Sequence, residues 1–209
     1  MLITKNSVVI YAIGLKSEGA ITVLYSFFKS FHNKKNIIVI LDDKVKELST
    51  FKFSKDVKIK YLKGSLINRI LFDFNIRKIP LKKAIYLGSI PPIFKLNAKT
   101  TFLLFQNINI LPYFLSFKFF FKYDFLRFLV FKFGSRNIDI FLTLNSVTSL
   151  YINKFIRKSQ TIKRLNLNLK ITNDKLNQKT KKKYDFIYPA NGLSHKNHMF
   201  LFKALIILS

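Results

Sequence analysis

The chain has 209 residues, 49% of them apolar, and a net charge of +27 from 37 basic against 10 acidic side chains. Such proportions exclude an acidic or low-complexity disordered chain and leave room for one or two domains with a real core. Cysteine is absent, which excludes disulfides, thiolate metal sites and a cysteine nucleophile.

The charge has two readings. Lys, Asn, Ile and Phe are abundant and Ala is scarce, as an AT-rich coding sequence would produce. Alternatively the chain meets an anionic partner: a phosphate-rich substrate, an anionic lipid surface or nucleic acid. The N-terminal MLITKNSVVIYAIGL lacks the basic start and long apolar core of a signal peptide. No run reaches the 18 or so clean apolar residues of a membrane span. The nearest, 101–117, is interrupted by Gln106, Asn107, Asn109 and Pro112. A cytoplasmic chain without a membrane-spanning helix is therefore expected.

In chain order, SVVIYAIGL (7–15) is an unbroken apolar run, the pattern of a strand buried on both faces of a parallel sheet. The KSEGA loop follows, then Ala20, Leu24, Phe27, Phe28 and Phe31 at helical spacing. NIIVILDD (36–43) is a second buried strand, so an α/β unit opens the chain. VKIKYLKG alternates charged and apolar residues, the mark of an exposed edge strand or a hairpin arm. Residues 65–79 suit a helix stopped by Pro80. KAIYLG and TTFLLFQN are short apolar runs on either side of SIPPIFKLNA, a loop whose Pro91–Pro92 pair forbids helix. Between Pro112 and Lys132 lie eight Phe interleaved with Lys118, Lys122, Arg127 and Lys132, which predicts a helix with a wide aromatic face. IDIFLTLNS (138–146) predicts another buried strand and 147–156 another helix. Asn145, Ser146 and Thr148 stand where helix caps are needed. Residues 158–183 are polar and basic and are the linker candidate. The expected fold is thus α/β, a Rossmann-like parallel sheet with flanking helices, with strands over 8–13, 37–41, 102–105 and 138–142.

Three places could carry chemistry. Gly14 and Gly19 flank LKSE, with Glu18, in the first strand–helix loop. Glycines there let backbone approach a phosphate, or serve only as turn residues. The spacing fits neither G-x-G-x-x-G nor a P-loop, because Ala20 stands where the P-loop lysine belongs. Gln106 and Asn107 end an apolar strand. Amides at the carboxyl end of a parallel strand face the ligand crevice and can bond sugar hydroxyls, or they cap a loop. The third is the final run, YDFIYPANGLSHKNHMFLFKAL (184–205). It reads as strand, a loop broken by Pro189, Asn191 and Gly192, and a helix from about Asn197. Lys196 then sits at the helix N-terminus, where free N–H groups and the dipole already favour an anion. His195 and His198 have no third ligand nearby, so no metal is expected.

This last run, with its Tyr188-Pro189 and His195-Lys196-Asn197-His198, resembles the opening of the donor-binding domain of family 4 glycosyltransferases, enzymes of the two-domain GT-B fold. The Gly14–Gly19 loop, the strand ending in Gln106-Asn107 and the 139–152 run are similar to the acceptor-side domain of that family. The resemblance implies residues 1–165 as a Rossmann-like acceptor-side domain, 166–183 as a basic linker, and 184–209 as the first strand and helix of a donor domain. It implies sugar transfer from a nucleotide-sugar to a glycan or lipid-linked acceptor in bacterial surface polysaccharide or lipopolysaccharide assembly, without metal or cofactor. Lys196, Asn191 and Gly192 would meet the donor diphosphate, with Asn191 standing where many relatives have Arg. Gly14, Glu18, Gly19, Gln106 and Asn107 would line the acceptor cleft. The family's Glu-x7-Glu element has no counterpart before Ser209, so a truncated chain with no more than trace turnover is expected. The rival reading is a non-catalytic basic module on an anionic membrane surface, docking through the Phe-rich 112–132 segment at the inner face of the cytoplasmic membrane. Nucleic acid is the disfavoured partner, since the aromatics fall at core spacing and no binding motif is present.

Overall fold

The computed structural model describes residues 3–13, 15, 24, 27, 36–48, 57–106 and 123–165. The chain divides into two units, Met1–Leu169 and Lys170–Ser209, and the second lies wholly outside the described residues. In the first unit β1 (Val8–Ala12) is followed by β2 (Ile37–Asp42), a single turn α1 (Val45–Leu48), β3 (Val57–Leu62) and α2 (Leu66–Ile76). Then come β4 (Lys83–Leu87), β5 (Thr101–Leu104), α3 (Tyr123–Gly134) with a short 3-10 extension Ser135–Asn137, β6 (Ile140–Thr143), α4 (Ser146–Asn153) and β7 (Thr161–Arg164).

The strands form one sheet in the order β3-β2-β1-β4-β5-β6-β7, every neighbouring pair parallel. This is the Rossmann-like α/β architecture, and the four strands expected from apolar runs are all in it. Every residue of β1 and β2 is buried, as strands covered by helices on both faces must be. Their register sets Ile10 between Val39 and Ile85. Side chains alternate between two cores. On one face Tyr11, Tyr86, Phe105 and Phe141 meet Phe72 of α2, Phe131 of α3 and Ile152 of α4. On the other, Ile10, Val39 and Leu41 meet Val45 of α1 and the helical residues Leu24 and Phe27. Right-handed crossovers impose this division, because the chain runs outward through β2 and β3 and then returns across β1 to start β4.

One pair of alternatives is resolved and two expectations need correction. VKIKYLKG is an edge strand, exposed at Lys58 and Lys60, but it pairs in parallel with β2 and is no hairpin arm. The polar run from Lys158 is not linker throughout, because Thr161–Arg164 extends the sheet as β7. An edge strand there needs only one inward residue, Ile162, and the Gln160 amide fixes its entry by donating to the carbonyls of Ser135 (2.7 Å) and Ile138 (2.6 Å). Helix α2 stops at Ile76, three residues before the expected end, with Arg77 as its cap. Of the Phe-rich segment, residues 112–122 lie outside the described residues, and helix covers Tyr123–Gly134.

The caps follow side-chain chemistry. Ser65 accepts from Asn68 N (3.1 Å) ahead of α2, and Asn145 accepts from Thr148 N (2.7 Å) ahead of α4. Asn145→Ala is expected to cost about 1 kcal/mol and Asn145→Asp almost nothing, measured by urea denaturation. Equal losses for both would mean that the amide is not acting as a cap.

Candidate functional site

Open parallel sheets bind ligands outside the carboxyl ends of their strands, where the strand order reverses. Here the reversal lies between β1 and β4. The β1 side contributes buried Ile13 and Leu15; the β4 side contributes Gly88 and Ser89. The two sides touch: a Cβ on Gly88 would lie 3.7 Å from Leu15 Cδ2, and Gly88 has φ +114°. Ser89 follows with φ 39°, a left-handed conformation that is costly for a residue with a side chain. The bend is held by bonds from Gly88 N (3.4 Å) and Ser89 N (3.1 Å) to Leu104 O at the end of β5. Ser89 Oγ in turn accepts from Gln106 N at 2.9 Å.

Beyond Ser89 runs Ile90-Pro91-Pro92-Ile93. Proline has no N–H, so this loop offers mainly carbonyl acceptors, and side chains from below satisfy them. Arg69 Nη2 donates to Ile90 O, and to Pro91 O at 3.5 Å. Asn137 Nδ2 donates to Pro92 O (3.1 Å) and Ile93 O (2.9 Å). Asp73 accepts from Ile93 N at 3.2 Å. Gly134, the last residue of α3, lets that helix abut the loop, since a Cβ there would stand 2.7 Å from Pro92 O.

Arg69 and Asp73 are one turn apart on α2 and both are buried. The Arg69 guanidinium carbon lies 4.8 Å from the Tyr11 ring and 5.4 Å from the Tyr86 ring, a desolvated cation–π stack. Tyr86 Oη donates to Asp73 Oδ1 at 2.6 Å. Burial pushes the Asp73 carboxyl up from its ordinary 3.8 to about 6, opposed by Arg69 and by the bonds from Tyr86 and Ile93. Burial likewise raises the Tyr11 phenol, with Arg69 opposing, and it raises Tyr86, with Asp73 adding to the shift. Among the described residues Tyr11 Oη and Arg69 Nε have no hydrogen-bond partner. A cluster so enclosed supports the loop; it does not itself meet a ligand.

Of the residues expected to form a site, Gln106 is described. It lies half-buried at the carboxyl end of β5 and is tied to Ser89. Gly14, Glu18, Gly19, Asn107, Asn191, Gly192 and Lys196 lie outside the described residues. Sequence reasoning missed Ser89, Arg69, Asp73, Asn137 and Gly134. Gly88 before a Pro-Pro pair was the available signal for the turn. For Arg69 and Asp73 no local signal was available, because α2 is apolar around most of its circumference. Among the described residues no group of three His, Cys, Asp or Glu could hold a metal, and no helix is long and apolar enough to cross a membrane.

The crevice edge is thus a rigid rim of backbone groups, one hydroxyl and one amide residue. Its carbonyls and the Ser89 hydroxyl are taken up by Arg69, Asn137 and Gln106 N, which leaves the half-buried Gln106 side chain as the polar group at the edge, and among its described residues it brings no general acid, base or nucleophile together. No protein-family model matches the chain and no curated protein matches it. The fold and its β1–β4 crevice are therefore the findings on which a function must rest.

Proposed function

We propose that this chain carries the acceptor-side domain of a nucleotide-sugar-dependent glycosyltransferase of the family 4, GT-B type. In this reading the acceptor is a glycan or lipid-linked glycan of bacterial surface polysaccharide or lipopolysaccharide assembly. The observation that supports it most is the β1–β4 crevice, where Gln106 is fixed to the left-handed Ser89 turn at 2.9 Å. A side-chain amide on a backbone anchored in this way suits sugar hydroxyls, which both donate and accept. Gly14, Glu18, Gly19 and Asn107 complete the acceptor edge. Lys196, with Asn191 and Gly192, meets the donor diphosphate. The chemistry proceeds by holding donor and acceptor in line and by stabilising the leaving diphosphate with positive charge. The protein works in the cytoplasm at the inner face of the cytoplasmic membrane, where a lipid-linked acceptor and the +27 charge bring it.

Apolar side chains exposed on α2 and α3 favour a second reading, a non-catalytic basic module on a membrane surface. Binding separates the two. The full chain is titrated with uridine and guanosine diphosphates and screened on immobilised glycans. The expected result is diphosphate binding weakened about tenfold by Lys196→Ala and little changed by His198→Ala, with glycan retention reduced by Gln106→Ala. Vesicle binding with neither diphosphate nor glycan binding would establish the second reading.

A further inference from the structure

Helix α2 is apolar on more than its inward face. It buries Arg69 and Asp73 against the sheet and turns Ile67, Leu71 and Phe74 outward, with 69%, 53% and 47% of their surfaces exposed. These three lie at i, i+4 and i+7, so they form one stripe along the helix. Helix α3 runs beside it, since Leu66 of α2 shares a small cleft with Leu126 and Val130 of α3. That neighbour adds Leu126 and Phe133, 44% and 61% exposed. An apolar surface shared by adjacent helices marks an interaction site, where isolated exposed residues would not.

Basic side chains predominate around this surface, and the acids on its two helices are Asp73 of α2 and Asp124 of α3. Arg77 stacks 3.6 Å from the Phe74 ring centre and 5.6 Å from that of Phe94, holding its cation at the end of the stripe. Lys78, Lys132 and Arg136 are exposed beyond it. The single acid of α2 is the buried Asp73. An apolar centre with a basic rim matches the interface of a bilayer with anionic headgroups. A second copy of the chain is a poor occupant, because each brings a net charge of +27.

We infer that the outer face of α2 and α3 is the surface by which this protein docks on an anionic lipid bilayer. This names a surface for the membrane association contained in the function above and does not depend on sugar transfer. Both helices start at the carboxyl edge of the sheet, α2 after β3 and α3 after β5.

The experiment is flotation of the full chain with vesicles of phosphatidylcholine alone and of phosphatidylcholine with phosphatidylglycerol. The expected result is flotation with the anionic vesicles only, reduced at least about tenfold in Leu71→Ser/Phe74→Ser, which leaves the charge unchanged. Lys44→Ser/Lys46→Ser removes two charges from the opposite helical layer and is expected to float like the parent. An unchanged thermal melt establishes that the apolar pair variant is folded, and Ile67→Ser/Phe133→Ser repeats the test at two other exposed positions. Equal flotation of the apolar variants and the parent would overturn this surface while leaving membrane association standing. Absence of flotation with either vesicle would overturn both. A dimer that the same substitutions dissociate, with no lipid binding, would assign the face to a second copy.

Discussion

Replacing Arg69 with Leu is expected to destabilise the domain by about 3–5 kcal/mol, a large part of the stability of an ordinary domain. The loss has three sources. The carbonyls of Ile90 and Pro91 lose their donor, the Tyr11 and Tyr86 rings lose the cation beside them, and the buried Asp73 loses its nearby positive charge. The last is the largest, because without Arg69 the carboxyl must either stay charged with no partner or take up a proton from neutral solution, and both cost stability. Removing both partners is less harmful than removing one, so Arg69→Met/Asp73→Leu is expected to be more stable than Arg69→Leu. Urea denaturation of the three proteins gives the comparison. A double variant as unstable as the sum of its single variants would show that the two side chains act independently.

Asp73 also predicts an unusual dependence on pH. Its folded value of about 6 lies above the ordinary 3.8, with burial the main cause. Between these values the folded protein holds a proton that the unfolded chain releases, so stability falls as pH rises. The contribution is fully present below about 3.8 and is lost as pH passes through about 6. It is on the order of 3 kcal/mol from that difference. Lowering the pH from 7 towards 4.5 is thus expected to stabilise the protein relative to Asp73→Asn, whose amide does not titrate. Comparing the two proteins cancels every other titrating group. Parallel stability curves across this range would show that Asp73 ionises in the fold as readily as in the unfolded chain.

The residues most readable from sequence are those whose environment is uniform. Val8–Ala12 and Ile37–Asp42 are buried on both faces, and an unbroken apolar run can mean little else once flanked by turns. Gln106 was readable by position, since a polar residue ending an apolar run in an α/β fold falls at the crevice. Strand β7 was hidden because an edge strand with one inward residue, Ile162, has the composition of a linker. Arg69 and Asp73 were hidden for a different reason. Leu66–Ile76 carries apolar residues around most of its circumference, so periodicity cannot choose the inward face, and an Arg and an Asp one turn apart read as a solvent-facing pair. Ser89 has a backbone angle imposed by Leu104 and Gln106, residues distant in sequence, and no local pattern records it.

An open sheet ends in two rows of unpaired backbone groups, which invite strands from other chains. Among the described residues both edge strands carry cations. Lys58 and Lys60 stand on β3 at one edge, Lys163 and Arg164 on β7 at the other, all four exposed. Edge-to-edge association would bring these like charges together in every pairing: β3 with β3, β7 with β7, or head-to-tail. The basic composition thus has a consequence for solubility that is separate from any ligand. Like charges at both edge strands oppose edge-to-edge growth of a seven-stranded sheet that is apolar at its centre.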